Sequence, residues 1–284
     1  FGKHPARRDF VRWGQAGELS AGFEAWLGGE FARAPRRAEG PPGMAIRFAL
    51  KKRGRPRLLV GSWIESSDAL GRRFPLIGYA EVDIPSSALL ELTPMVTARF
   101  DGEIEALLAG ASAEIMAARM PAISPPGEDD WEIAEKRFAR FVSGLTVRGW
   151  GKRIFGEFTE LVPSAIDSAV KLAEAARRSA GRPVSACFPG FDLCDLAIWL
   201  RLFGWADSRQ WTAWLALWEP GGASCALGLG EPHGDLVAAL RPEAGVRARA
   251  WRFDPAHVQD LGPEYRDVLD RPLSRVFGEL GLNK

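Results

Sequence analysis

Twice in this chain a short apolar run, a turn and a second apolar run follow one another, and each such triplet commits its strands to antiparallel pairing. The clearer one is WTAWLALW (211–218), EPGGAS (219–224) and CALGLG (225–230). The other sets MAIRFAL (44–50) and RLLVGSWI (57–64) either side of the basic turn KKRGRP. A third strand is expected at FPLIGYAEVD (74–83), where Pro75 sits near the start as strands tolerate, and a further one at PVSACF (183–188).

Helical periodicity fills most of the rest. Phe23, Trp26, Leu27 and Phe31 recur on one face over 18–34, although the Gly28–Gly29 pair weakens that helix. PSSALLEL (85–92) opens a helical region that Pro94 interrupts and that resumes to about Gly110. Trp131, Ala134, Phe138 and Phe141 have helical spacing, and residues 163–181 run from Pro163 to Gly181, the residues that favour a helix start and stop. DLCDLAIWLRLFGW (192–205) reads as another helix, and the tail from Pro263 is helical with a break at Pro272. Hairpins mixed with helices predict an α+β chain (mixed α/β): a largely antiparallel sheet flanked by helices, sandwich-like. The Pro-rich acidic segment MPAISPPGEDD (120–130) is the candidate linker between an N-terminal α/β region (1–120) and a C-terminal one (131–284), which can also pack into one continuous domain.

Composition excludes several classes. With 46% hydrophobic and 26% charged residues, the chain matches an ordinary soluble globular protein. It has no signal-peptide pattern and no transmembrane-length apolar run, and its three Cys (187, 194, 225) suit neither a disulfide framework nor a zinc site. A reducing cytoplasm is the expected location. The chain does not begin with Met, so a short targeting segment upstream stays open. The net charge of +1 hides an asymmetry: nine basic residues against Glu39 between Arg33 and Arg57, and twelve acids against Arg99 and Arg119 between Ala80 and Glu135. These stretches can attract opposite partners or each other. Solvated loops and helix faces remain the plainer reading.

Catalytic motifs are near misses. GLTVRGWGKR (144–153) spaces Gly144 and Gly149 as in a phosphate loop, but Trp150 stands where the Lys charge is needed. GLGEPHGD (228–235) puts His233 in place of the third Gly of a dinucleotide fingerprint. Only three His occur (4, 233, 257), none in metal-ligand spacing, and no G-x-S-x-G elbow accompanies His4 and Asp9. No catalytic residue, metal or cofactor is therefore expected. The Trp cluster at 199, 205, 211, 214 and 218 reads as core or interface ahead of a ligand cage. The basic stretch 33–57 has only Phe48 as a possible stacking platform, so nucleic acid is a secondary reading. A small-molecule hydrolase or transferase with an unrecognised site is the other alternative.

Two stretches remain. FGKHPARRDFVRWG (1–14) resembles the G-K-x-P-x-x-G-D-F-V-x-R opening of the TagF/ImpM family of bacterial type VI secretion accessory proteins. GSWIESSDALGRRFPL (61–76) is similar to that family's G-x-x-x-P-S-x-D-x-x-G-R-x-F-P-L signature, with Ser66-Ser67 in place of Pro-Ser and Arg8 in place of the first motif's Gly. The resemblance covers about the first 85 residues. It implies a cytoplasmic, non-catalytic, post-translational repressor that binds a forkhead-associated scaffold protein. Lys3, Arg7, Asp9, Phe10, Asp68, Arg72 and Arg73 are the motif residues expected to hold the fold or meet a partner. Phe1 and Phe10 are expected to insert into the core, Phe74 and Leu76 to continue a strand, and Asp9 to pair with Arg72 or Arg73, pinning the N-terminal loop on the second motif's turn.

Overall fold

The computed structural model describes residues 1–14, 17–33, 45–157, 159, 162–178, 184–203, 213–221, 224–230, 232, 236, 251–252 and 266–280, with backbone alone at 31–33, 87–88, 175–178, 251–252 and 266–267. In chain order the elements are β1 (Gly2–Lys3), β2 (Phe10–Val11), α1 (Glu18–Arg33), β3 (Ile46–Lys52), β4 (Arg57–Ile64) and β5 (Leu76–Asp83). A helical excursion follows: α2 (Thr93–Val96), α3 (Ala98–Gly110), α4 (Ala113–Arg119), α5 (Glu128–Ser143), α6 (Val147–Phe155) and α7 (Val162–Arg178). The chain then returns through β6 (Val184–Pro189), α8 (Leu193–Leu202), β7 (Ala213–Trp218), β8 (Ser224–Leu229), β9 (Trp251–Arg252), α9 (Arg266–Leu269) and α10 (Leu273–Glu279).

All nine strands lie in one sheet, ordered β2-β1-β5-β4-β3-β7-β8-β6-β9. Every pairing is antiparallel except β6 with β9. The two expected hairpins are β3–β4 and β7–β8, and they meet along β3–β7, from Arg47↔Trp218 to Lys52↔Ala213. One sheet thus runs through both halves of the chain. The three acids of the 120–130 segment, Glu128, Asp129 and Asp130, all form the first turn of α5, where carboxylates favour the positive end of the helix dipole.

Strand alternation sorts the core into two layers. Along β7, Ala213, Leu215 and Leu217 face α1, while Trp214, Ala216 and Trp218 face the other helices. Under α1, Phe23 and Leu27 are fully buried and Phe23 stacks on Phe48 at 4.2 Å between centroids. On the opposite face α3 and α5–α8 cover the sheet with Trp131, Trp150 and Trp199, the last stacking on Phe188 of β6 at 5.0 Å. This is the α+β sandwich expected. Pro94 stands in the first turn of the short α2, where it breaks no helical hydrogen bond. GLTVRGWGKR is the start of α6: Thr146 caps it by accepting from the Gly149 N–H at 3.0 Å, and Trp150 is core. Trp199, Trp214 and Trp218 are likewise buried, whereas Trp205, Trp211 and half of the second fingerprint-like stretch, His233 included, lie outside the described residues.

Candidate functional site

The two motifs fold against each other. Gly2 pairs with Val11 on one side and with Leu76 on the other, so β1 is clamped between β2 and the second motif's strand β5. The Phe1 backbone nitrogen donates to the Ile77 carbonyl at 2.9 Å, and the Ile77 N–H donates back at 2.8 Å. Gly2 has φ +139°, and a Cβ there would meet the Pro75 carbonyl oxygen at 2.1 Å, so only glycine permits this approach.

Asp68 is the centre of the junction. Its side chain is completely buried and accepts four bonds. The backbone N–H groups of Leu70 and Arg72 donate to Oδ1 at 3.0 and 2.9 Å, and Arg72 Nε and Lys3 Nζ donate to Oδ2 at 2.7 and 3.0 Å. Burial alone raises a carboxyl group, but the Arg72 N–H, the Lys3 ammonium, the Arg72 guanidinium and the Leu70 N–H together hold Asp68 well below the ordinary carboxylate range. The turn that aims those N–H groups inward passes through Gly71 at φ +74°. From the same turn the Ala69 N–H donates to the Arg7 carbonyl at 2.7 Å, and Arg72 Nη2 donates to the Arg8 carbonyl.

The N-terminal loop is therefore pinned on the second motif's turn, but not by the expected pair. Asp9 is exposed and accepts from the Phe10 N–H at 2.8 Å; Arg72 turns to Asp68, and Arg73 donates to Glu65 at 2.7 Å. The reason is burial: Asp68 sits inside with Lys3, so the guanidinium gains more there than at a solvated carboxylate. Lys3 itself is 8% exposed. Phe10, expected in the core, is 45% exposed. It stacks on Phe1 at 5.3 Å and meets the edge of Phe74 at 4.8 Å, forming a three-ring cap at the surface. Phe74 precedes β5 and serves this cap; Leu76 begins the strand.

Two further side chains, His4 and Arg12, tie the motif loop down, and neither was among the motif residues expected to hold the fold or meet a partner. The His4 ring is buried: Nδ1 accepts from the Ala6 N–H at 3.1 Å and Nε2 donates to the Ala111 carbonyl at 3.2 Å, so the geometry selects the Nε2–H tautomer. Arg12 makes a two-pronged pair with Glu24 of α1, and the Tyr79 hydroxyl donates to the same Glu24 at 2.7 Å. Arg12 closes the first motif, and that position was the available signal. On the surface Arg7 reaches Glu114 at 2.7 Å. An open cleft of about 430 Å³ lies beside it, lined by Arg7, Val11, Arg12, Trp13, Glu114 and Ala117 among others.

The basic and acidic stretches partly answer each other. Arg47 donates to both oxygens of Glu105 at 2.7 and 3.0 Å, and Arg57 reaches Asp83 at 3.2 Å. Arg55 pairs with Glu18. Behind Arg47, Asp101 of α3 is buried with neither oxygen hydrogen-bonded. Burial pushes its carboxyl up to about 8, against weaker downward pulls from Thr97 and Arg47. Among the described residues no group of three or more His, Cys, Asp or Glu is arranged to hold a metal ion. Cys187, Cys194 and Cys225 are buried thiols outside any disulfide, and burial lifts the Cys194 thiol to about 11. No helix of the described residues is long and apolar enough to cross a membrane.

Residues 1–121, which carry both converging loops, match the family model of the TagF N-terminal domain, type VI secretion system-associated. Over that stretch the match supports the resemblance of the two motifs to the TagF family. No curated protein and no solved structure matches it.

Proposed function

We propose that the chain is a non-catalytic regulator of type VI secretion that acts in the cytoplasm by binding a forkhead-associated scaffold protein and restraining the apparatus. The observation that carries this reading is the use made of the motif residues. Lys3, Asp68 and Arg72 are spent on one another in a buried cluster, His4 is spent on Ala6 and Ala111, and Arg12 is spent on Glu24. Chemistry of that kind builds a rigid exposed face, the usual requirement of a docking module. A general acid or nucleophile would instead stand within reach of a substrate-sized cavity. Of the described cations of the basic stretch, Arg47, Arg55 and Arg57 are held by carboxylates of the same chain, which weakens a nucleic-acid role for it.

The test joins a binding and a cellular measurement. The purified chain and the scaffold protein of the same secretion system should co-elute from a sizing column. Deleting the gene should raise secretion of a type VI substrate, and overexpression should lower it. Absence of co-elution together with unchanged secretion in both strains ends the proposal.

A further inference from the structure

The inner side of α3 sets two carboxyl groups one turn apart, Asp101 and Glu105, against a single cation, Arg47 of β3. Glu105 takes the donors. Arg47 gives it two bonds, at 2.7 and 3.0 Å, and the Ser62 hydroxyl of β4 gives a third at 3.0 Å. Asp101 is fully buried, and neither of its oxygens nor the Thr97 hydroxyl one turn back has a hydrogen-bond partner among the described residues. The elements packed on α3 bring no second cation. On β4 and β5 the residues turned towards it are apolar apart from Ser62, because Arg57, Glu81 and Asp83 stand on the other side of their strands. Lys51 shares Arg47's side of β3 but is held by the carbonyls of Arg55 and Arg57, and α2 carries no charged residue.

One guanidinium cannot offset two carboxylates in so buried a place, where a second negative charge stands without water or donors. The cluster therefore keeps Asp101 protonated, in line with the value of about 8 to which burial pushes it. The same helix reaches the motif loop. Midway along it Ile104 lies over Gly78 of β5, where a Cβ would meet its Cγ2 at 2.4 Å. Just past its end the Ala111 carbonyl accepts from His4 Nε2 at 3.2 Å. His4 in turn accepts from the Ala6 N–H at Nδ1 and from the Arg7 N–H at its own carbonyl. Seating of α3 and order in the first motif thus share one chain of contacts.

We infer that α3 is a proton-linked clasp: with Asp101 neutral it stays seated on the sheet and holds the first motif's loop through His4, and with Asp101 ionised it lifts and the loop slackens with it. The lifted state gives the carboxylate to water, so opening is coupled to the release of one proton. A solvated Asp loses its proton at about 4, and the seated one keeps it up to about 8. Across that window opening becomes about tenfold more favourable for each pH unit, and above it the effect levels off. The face built by the two motifs is then firmest in acid and slackest above about pH 8, whether or not a partner is bound.

Amide hydrogen exchange of the full chain across this pH range, expressed as protection factors so that intrinsic base catalysis drops out, tests the clasp. In the wild type, protection along α3 and at the Ala6 and Arg7 amides should fall together, about tenfold per pH unit up to about pH 8, and then hold. At every pH it should lie below the protection of α7, which packs on α6 and α8 rather than on α3, because the opening is local. Asp101→Asn should remove the pH slope from both α3 and the loop. Protection in wild-type α3 that does not change with pH overturns the inference, and so does a slope in α3 that Ala6 and Arg7 do not share. Protection of α3 and the loop equal to that of α7 means that they open only when the whole chain unfolds, which also overturns it. A slope that persists in Asp101→Asn assigns the proton to another group and has the same effect. The wild-type comparison with α7 stands even if the variant fails to fold.

Discussion

Asp68 and Asp101 are both buried carboxyl groups, and they are held in opposite charge states. Asp68 meets two backbone N–H groups, a guanidinium and an ammonium. Asp101 meets no donor in bonding geometry, and the nearby Arg47 is committed to Glu105. The difference lies in the backbone around each. A four-residue turn leaves N–H groups unspent, and the turn after Asp68 points them at its own carboxylate. Asp101 faces β3 and β4 from a helix, and both strands spend their N–H groups in the sheet ladder. Burial sets the size of the desolvation cost, but local backbone shape decides whether the charge survives it.

Breaking Asp68 should have the largest effect. Asp68→Asn leaves the Lys3 ammonium buried without its counter-charge, and the melting temperature should fall further than for any other substitution named in this Discussion. The pH dependence carries a sign. Because its folded value is depressed, Asp68 contributes stability that is present above the unfolded carboxylate value of about 4 and is lost as pH falls through the folded value. Urea titrations at descending pH should show this acid loss in the wild type and a weaker one in the variant.

Asp101→Asn should act in the opposite direction. The folded carboxyl keeps its proton up to about 8, whereas the unfolded one loses it near 4, at about 3.9. The folded state thus binds the extra proton across that window, and wild-type stability declines as pH rises through it. At pH above 8 the Asn variant should be the more stable of the two, on the order of 5–6 kcal/mol if the full linkage is expressed. Equal slopes of stability against pH for the two proteins would place the proton elsewhere.

The smallest effect belongs to a pair that only looks similar. Arg7→Ala removes the contact with Glu114, but both side chains are more than half exposed. Its melting midpoint should match the wild type within error, in contrast to Asp68→Asn. A large drop would mean that the loop depends on the Arg7 guanidinium as well as on the Arg7 carbonyl.

The sheet and its hairpins were legible because turn chemistry and apolar runs are local. β3, β4, β7 and β8 lie where the sequence puts them, α5 follows from apolar spacing, and α7 follows from the Pro163 and Gly181 that mark its start and stop. The convergence of the two motifs was legible from their resemblance, and the pinning of one on the other was anticipated. The partner was not: Asp9 is as plausible on paper as Asp68, because sequence carries no measure of which carboxylate will be buried. The inward turn of Lys3 depends on Gly2 letting β1 approach Pro75, and the exposure of Phe10 on the sheet ending there. Asp101 gave no signal at all, since within ARFDGEIEALLAG it reads as one acid among several on a helix.

The seam between β3 and β7 also separates what evolution counts as a unit from what physics does. The stretch that identifies this chain ends at residue 121, yet its inner strand β3 is bonded along six residues to a strand that begins at Ala213. Excised at that boundary, the piece would present a bare, largely apolar strand with an open row of amides and carbonyls, an invitation to self-association. The stretch with the family match therefore borrows its far border from residues beyond 121.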